Sequence, residues 1–180
     1  DLADATLDVT LQLAWTHLRQ RHRTFPQFAV IAYGKLGGKE MGYASDLDLV
    51  FIYDVSDGIE ASDGPKPLPP SLYFQRLGQR LIAALTTPTG AGTLYEVDMR
   101  LRPTGNKGPV AVSLKSFADY HASESWTWEH MALTRARDAA DVHLVRRREL
   151  LPRPVRVPLR RHLEVPQPAR PRGRTACATR

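Results

Sequence analysis

Two acids, Asp46 and Asp48, stand at the mouth of the apolar run LVFIYD, with seven residues between the first of them and the pair Gly37-Gly38. No other feature constrains this chain as strongly. A run rich in aromatic and β-branched residues reads as a strand. Strand side chains alternate, so Asp46 and Asp48 leave it on the same side, about 7 Å apart. Carboxylates beside buried strand residues are costly without a partner. A divalent cation suits them: Mg2+ takes oxygen ligands, keeps part of its water and completes its shell with phosphate oxygens. A further acid-bearing strand is expected downstream. LYEVDMRL, residues 94–101, alternates strictly, with Tyr95, Val97, Met99 and Leu101 on one face and Glu96, Asp98 and Arg100 on the other. Asp98 is therefore the candidate third carboxylate, able to ligate a second ion or accept a proton, with an ion pair to Arg100 or Arg102 as the plainer alternative. The expected site holds two Mg2+ ions, which in such centres sit ~3.5–4 Å apart.

Glycines and cations around this pair are candidates for holding a nucleotide. Gly34, Gly37 and Gly38 allow backbone N–H groups to approach phosphates. Ser45 either donates a hydroxyl to a phosphate or caps the turn. Lys35, Arg100 and Arg102 are candidates to neutralise triphosphate charge. The spacing in GKLGGK is not that of a P-loop, and no G-x-G-x-x-G follows a strand. His17, His22, His121 and His143 lack metal-ligand spacing, and the cluster Trp126, Trp128, Glu129 and His130 reads first as helix-core packing.

The rest of the chain supplies a scaffold of mixed type. Residues 2–20 read as a helix through Leu7, Leu11, Trp15 and Leu18. FAVIAYG, residues 28–34, reads as a buried strand. A loop dense in Gly and Pro spans residues 57–70. A second helix starts there, with Ser71 as its N-cap and Phe74, Leu77, Leu81 and Leu85 as its apolar stripe. Residues 113–140 read as largely helical, with Phe117, Tyr120, Trp128, Met131 and Ala132 as core candidates. The expected fold class is α+β, a mixed sheet flanked by helices. The expected organisation is an N-terminal helix over 1–24 ending a preceding helical region, a catalytic domain over 25–140, and a tail over 141–180.

Charge argues against a nucleic-acid partner despite a net +6. From Val145 onward there are 11 Arg against two acids, Glu149 and Glu164, which leaves the remaining body at about −3. That tail is rich in proline and without periodicity, so disorder is expected. Its composition also fits a GC-rich gene read out of frame, which translation of the other frames would test. A single cysteine, Cys177, rules out an internal disulfide and fits the cytoplasm. No apolar run approaches the ~18 residues of a membrane span. The first residue is Asp1, and the chain reads as a fragment.

The GG and DLD pattern with an acid on a later strand resembles the DNA polymerase β-type nucleotidyltransferase superfamily. YGKLGGKEMGYASDLDLVFIYD, YFQRLGQRLIAALTTPTGAGTLYEVDMRLRPTGNKGPVAVS and FADYHASESWTWEHMALTRAR go further. They resemble glutamine synthetase adenylyltransferase over residues 28–137, with departure after about Ala139. That family has two related catalytic halves. GYASDLDL and WTWEH resemble the C-terminal, adenylylating half, whereas the deadenylylating half tends to carry NFSSD and DWER. The resemblance implies AMP transfer from ATP to a tyrosine of glutamine synthetase, with control by the nitrogen-signalling PII protein and glutamine. It also implies metal binding by Asp46 and Asp48, with Asp98 as the third carboxylate. The alternatives are phosphorolytic removal of AMP, giving ADP, and nucleotidyl transfer to RNA or a small molecule.

Overall fold

A computed structural model of the chain describes residues 2–18, 27–55, 60–63, 65–90 and 92–142. Helix α1 spans Leu2–Thr16, strand β1 Gln27–Ala32, the short helix α2 Gly34–Gly37 and strand β2 Leu47–Asp54. Helix α3 (Pro70–Thr86) leads to the two-residue strand β3 (Val97–Asp98) and strand β4 (Ala111–Ser113). Helices α4 (Leu114–Ser123) and α5 (Thr127–Leu133) precede the last strand, β5 (Arg137–Val142). The sheet runs β3-β2-β1-β5, with β4 also on β2. β1 is antiparallel to β2 and β5, while β3 and β4 are parallel to β2. This is the expected α+β class, with a mixed sheet and helices on both faces. No helix among the described residues is long and apolar enough to cross a membrane.

Alternation along β1 and β2 divides the core. Phe28, Val30 and Ala32 join Leu47, Leu49 and Phe51 on one face, packed against Leu7 and Leu11 of α1 and Phe74, Leu77 and Leu81 of α3. Ala29, Ile31, Tyr33, Val50 and Ile52 form the other face, packed on Phe117 of α4 and on Ala132 and Leu133 of α5. Each such fully buried aliphatic or aromatic side chain contributes about 1.5–3 kcal/mol by leaving water. The even-numbered face of β2 is thus the α4–α5 face, and Asp48 lies on it.

Four sequence expectations need correction. Helix α3 starts at Pro70 and its N-cap is Pro69, not Ser71; proline's fixed φ suits the first helical position. Only Val97 and Asp98 of residues 94–101 pair as strand. The Asp98 carboxylate accepts the Arg100 backbone N–H at 2.8 Å, an Asx turn that pulls the chain off the ladder. Leu101 accordingly packs on the opposite cluster from Tyr95, Val97 and Met99. Residues 137–140, expected to be helical, and 141–142, expected to begin the tail, form β5: the open edge of β1 outweighs the helix propensity of a short alanine-bearing segment. Finally, Trp128 and Met131 are 55% and 67% exposed, because α5 turns Glu129, Ala132 and Leu133 inward at helical spacing and the other two away. Residues 143–180 of the expected tail and residues 57–59 at the start of the loop lie outside the described residues.

Candidate active site

Parallel pairing of β2 with β3 sets Asp48 opposite Asp98, as it sets Leu47 opposite Val97. Asp46 precedes Leu47, whose N–H donates to the Glu96 carbonyl at 2.8 Å. Register and alternation therefore bring all three acids to one end of β2 on the α4–α5 face. One carboxylate oxygen from each of Asp46, Asp48 and Asp98 lies within 4.8 Å of the other two. The donor set is all hard oxygen, which fits Mg2+. Its electrostatics fit as well. Burial pushes the Asp48 carboxyl above the usual carboxylate range, the charges of Asp46 and Asp98 push it further, and Arg100 and Lys35 offset part of the rise. Crowded carboxylates of this kind are relieved by a cation.

Gly34 is what lets Asp48 sit there. Its φ is +51°, in the left-handed region that glycine tolerates, and a Cβ on it would collide with Asp48 Oδ2. The Tyr33 N–H donates to the Asp48 carbonyl at 2.9 Å, so the β1–α2 turn and the acid are tied together. Arg137 braces that turn from behind: Nε and Nη2 donate to the Leu36 carbonyl at 3.1 and 2.9 Å, and Nη2 meets Asp4 Oδ1 at 2.6 Å. The other two glycines have different surroundings. A Cβ on Gly37 would strike the carbonyls of Arg135 and Ala32, whereas Gly38 has its nearest neighbours at 3.4 Å. Gly37 is a packing glycine, whereas a Cβ on Gly38 would make only ordinary van der Waals contact.

The remaining sequence candidates divide. Lys35 is exposed on α2 and its charge reaches Asp48. Ser45 is buried, and its Oγ accepts the Gly42 N–H at 3.0 Å, a turn-capping role that leaves its hydroxyl proton to donate elsewhere. Arg100 grips Asp98, with Nε 2.7 Å from Oδ2. Hydrogen bonds from this guanidinium hold the Asp98 carboxyl below its ordinary range. Arg102 is only 8% exposed and donates from Nη1 to the Met99 carbonyl at 2.6 Å. It closes the turn after β3 instead of lining the cleft. Replacing Arg102 with Ala is expected to cost about 2–4 kcal/mol by urea unfolding, because it strips donors from buried carbonyls.

Two clefts meet at Asp46 and Glu96. One, of about 390 Å3, is lined by Asp46, Glu96, Val97, Asp98, Met99, Arg100 and Asn106. The other, of about 380 Å3, is lined by Tyr43, Ala44, Ser45, Asp46 and residues 93–96. Glu96 and Asn106 were not among the sequence candidates. Glu96 was visible as the acid-face neighbour of Asp98. Asn106 arrives through a turn that no spacing rule anticipates. The Trp126–His130 cluster is not a packed core: Trp126 and Trp128 are 72% and 55% exposed. Only Glu129 turns in, accepting from the Tyr120 hydroxyl at 2.8 Å and the Trp126 N–H at 2.7 Å. Among the histidines, His22 and His143 lie outside the described residues. His121 is buried, and burial lowers its pKa.

The profile of the glutamate-ammonia ligase adenylyltransferase family matches residues 1–150. A bifunctional glutamine synthetase adenylyltransferase/adenylyl-removing enzyme of Rhizobium meliloti (strain 1021) is 52% identical over 139 residues, covering 76% of this chain and 14% of the relative. Its namesake in Xanthomonas campestris pv. campestris (strain B100) is 49% identical over 172 residues, covering 91% of this chain and 18% of the relative. That of Pseudomonas syringae pv. tomato is 52% identical over 145 residues, 76% of this chain and 15% of the relative. The chain thus spans less than a fifth of the length of these relatives. The family match and the Xanthomonas alignment both run past Ala139, where the sequence reading ended the likeness. On these matches the chain belongs to the glutamate-ammonia ligase adenylyltransferase family.

Proposed function

We propose that this chain carries a catalytic site that transfers AMP from ATP to a tyrosine hydroxyl of glutamine synthetase, releasing pyrophosphate and lowering that enzyme's activity. The convergence of Asp46, Asp48 and Asp98 within 4.8 Å, in a chain of this family, is the observation that carries the reading. The direction rests on GYASDLDL and WTWEH, the strings that resemble the adenylylating half. The reaction belongs in the cytoplasm, and the nitrogen-signalling PII protein acts through the longer enzyme.

Asp46, Asp48 and Asp98 would hold two Mg2+ ions. The chemistry a bound divalent cation supplies is neutralisation of phosphate charge and acidification of the attacking hydroxyl. The side chains divide the remaining work. Lys35 and Arg100 offer positive charge to the triphosphate. Ser45 has a hydroxyl proton to donate to a phosphate oxygen. Asp98 acts as a ligand or as the base that takes the phenol proton; in the chain without cation or nucleotide its carboxyl is held low by Arg100.

Incubation with α-labelled ATP, Mg2+ and unmodified glutamine synthetase is expected to label the synthetase. Omitting Mg2+ should abolish the labelling. Adenylylated synthetase supplied with phosphate should release no ADP. ADP release without labelling would reverse the direction, and labelling of RNA or a small molecule alone would reassign the acceptor.

A further inference from the structure

Asp98 is not a free carboxylate. Its Oδ2 accepts from Arg100 Nε at 2.7 Å and faces Nη2 at 2.5 Å, while Oδ1 accepts the Arg100 backbone N–H at 2.8 Å. The Arg100 side chain is 74% exposed and that of Asp98 13%. Among the described residues, this guanidinium pairs with Asp98. An ion pair with one member so exposed adds little to stability. The fold therefore does not account for it. Its position does: the guanidinium covers the third carboxylate of the cation site, and its charge also acts on Asp48 and Asp46.

We infer that Arg100 is a resident counter-ion of the three-carboxylate site: its guanidinium occupies Asp98 until a cation arrives, and it then transfers to the phosphate oxygens of the nucleotide in the adjoining cleft. This rests on the proposed cation site but goes beyond it. The side chain lines the 390 Å3 cleft that also contains Asp46 and Asp98, so the exchange needs a rotation of an exposed side chain and no backbone movement. The planar fork that fits a carboxylate fits a phosphate equally. The backbone N–H stays on Oδ1 when the guanidinium leaves, which keeps the Asp98 carboxylate oriented for the incoming ion. Phosphate and cation then help each other: phosphate draws Arg100 off Asp98, and linkage requires the cation to strengthen phosphate binding by the same factor.

Mn2+ binding to the purified chain, followed by electron paramagnetic resonance, tests this. Without nucleotide, Arg100→Gln is expected to bind Mn2+ about tenfold more tightly than the wild type, within the usual range of coupled sites. Lys35→Gln removes the same unit charge near Asp48 but vacates no carboxylate, and should change affinity by under about threefold. Arg100→Lys, which keeps the charge and loses the fork, should lie between and serves if the Gln variant fails to fold by circular dichroism. With pyrophosphate present the order reverses, and Arg100→Gln retains Mn2+ less well than the wild type. Equal effects of Arg100→Gln and Lys35→Gln, or no gain in Arg100→Gln, would overturn the counter-ion role while leaving the cation site standing. Absence of Mn2+ binding in every protein, with or without pyrophosphate, would sink both.

Discussion

Asp48→Asn should abolish nucleotidyl transfer and yet raise the melting temperature of the cation-free protein. The two effects have one cause. Asp48 is half-buried, faces Asp98 across β2 and β3, and shares its face with Asp46. Its ionised form is disfavoured, first by burial and then by those two charges. In the absence of a cation, that charge opposes folding at neutral pH. Asn has nearly the same shape and no charge, so the cation-free fold gains. The catalytic loss is large for the same reason. A divalent ion contributes several kcal/mol of charge stabilisation in a transition state, and each 1.36 kcal/mol is a factor of ten in rate. Removing a ligand should therefore lower transfer by about 10²–10³-fold or more. Thermal melts with and without Mg2+ give the second readout: a ligand that binds only the folded state raises its melting temperature, and the variant should lose most of that rise. Near-normal transfer, or an undiminished Mg2+ shift, would remove Asp48 from the site.

The pH dependence follows with its sign. Asp48 has a raised pKa in the folded state, so the folded chain binds this proton more tightly than the unfolded chain does. Its charge costs stability above the raised value, and the cost disappears as pH falls through it. Asp98 is the opposite case. Its carboxyl is lowered through Arg100, so its stabilisation is present above the ordinary carboxylate pKa and is lost as pH falls through the depressed value. Cation binding needs Asp48 ionised. Mg2+ affinity should therefore weaken on acidification at a higher pH than an ordinary carboxylate would allow.

What could be read from the chain alone was whatever the backbone period determines. Asp46 and Asp48 share a face because strands alternate, and Leu77 and Leu81 share one because helices repeat near 3.6; neither depends on the rest of the fold. The meeting of Asp98 with Asp48 is different. It needs the parallel pairing of β3 on β2, which no local spacing encodes, and only the acid-bearing alternation of residues 94–101 hinted at it. That alternation misled about length, since the carboxylate of Asp98 itself ends the strand by taking the Arg100 N–H. Residues 137–140, which read as helix, and 141–142, which read as tail, misled because a free edge on β1 decides their conformation. Trp126 and Trp128 misled because an indole is as apolar on an outer helix face as on an inner one, and the seven residues of α5 are too few to display a stripe. Among the glycines, the doublet Gly37-Gly38 drew the eye, whereas Gly34 holds the position against the acid.

That last contrast yields the other large effect. Gly34→Ala should lower AMP transfer about as far as Asp48→Asn does, from a position that carries no functional group. An L-residue at φ +51° costs about 1–2 kcal/mol, which by itself would spare activity in a stable domain. The added methyl decides the outcome, since it would occupy the place of Asp48 Oδ2. Either the carboxylate rotates out of the three-acid cluster or the β1–α2 turn shifts, and the turn is held by the Tyr33 N–H to the Asp48 carbonyl and by Arg137 on the Leu36 carbonyl. The side chain is the softer of the two, so the cation site yields first. The neighbouring glycines separate this from a general intolerance of the loop. Gly38→Ala, at φ −75° with 3.4 Å of clearance, should keep both fold and activity. Gly37→Ala meets two backbone carbonyls that cannot rotate away, and should lower the melting temperature with a loss of activity no greater than its loss of folded protein. Titrating Mn2+ into all three tells them apart: Gly34→Ala is expected to be folded and weak in cation binding, Gly38→Ala folded and normal, Gly37→Ala destabilised. A Gly34→Ala variant that binds Mn2+ and transfers AMP like the wild type would show that Asp48 does not need the space this glycine leaves.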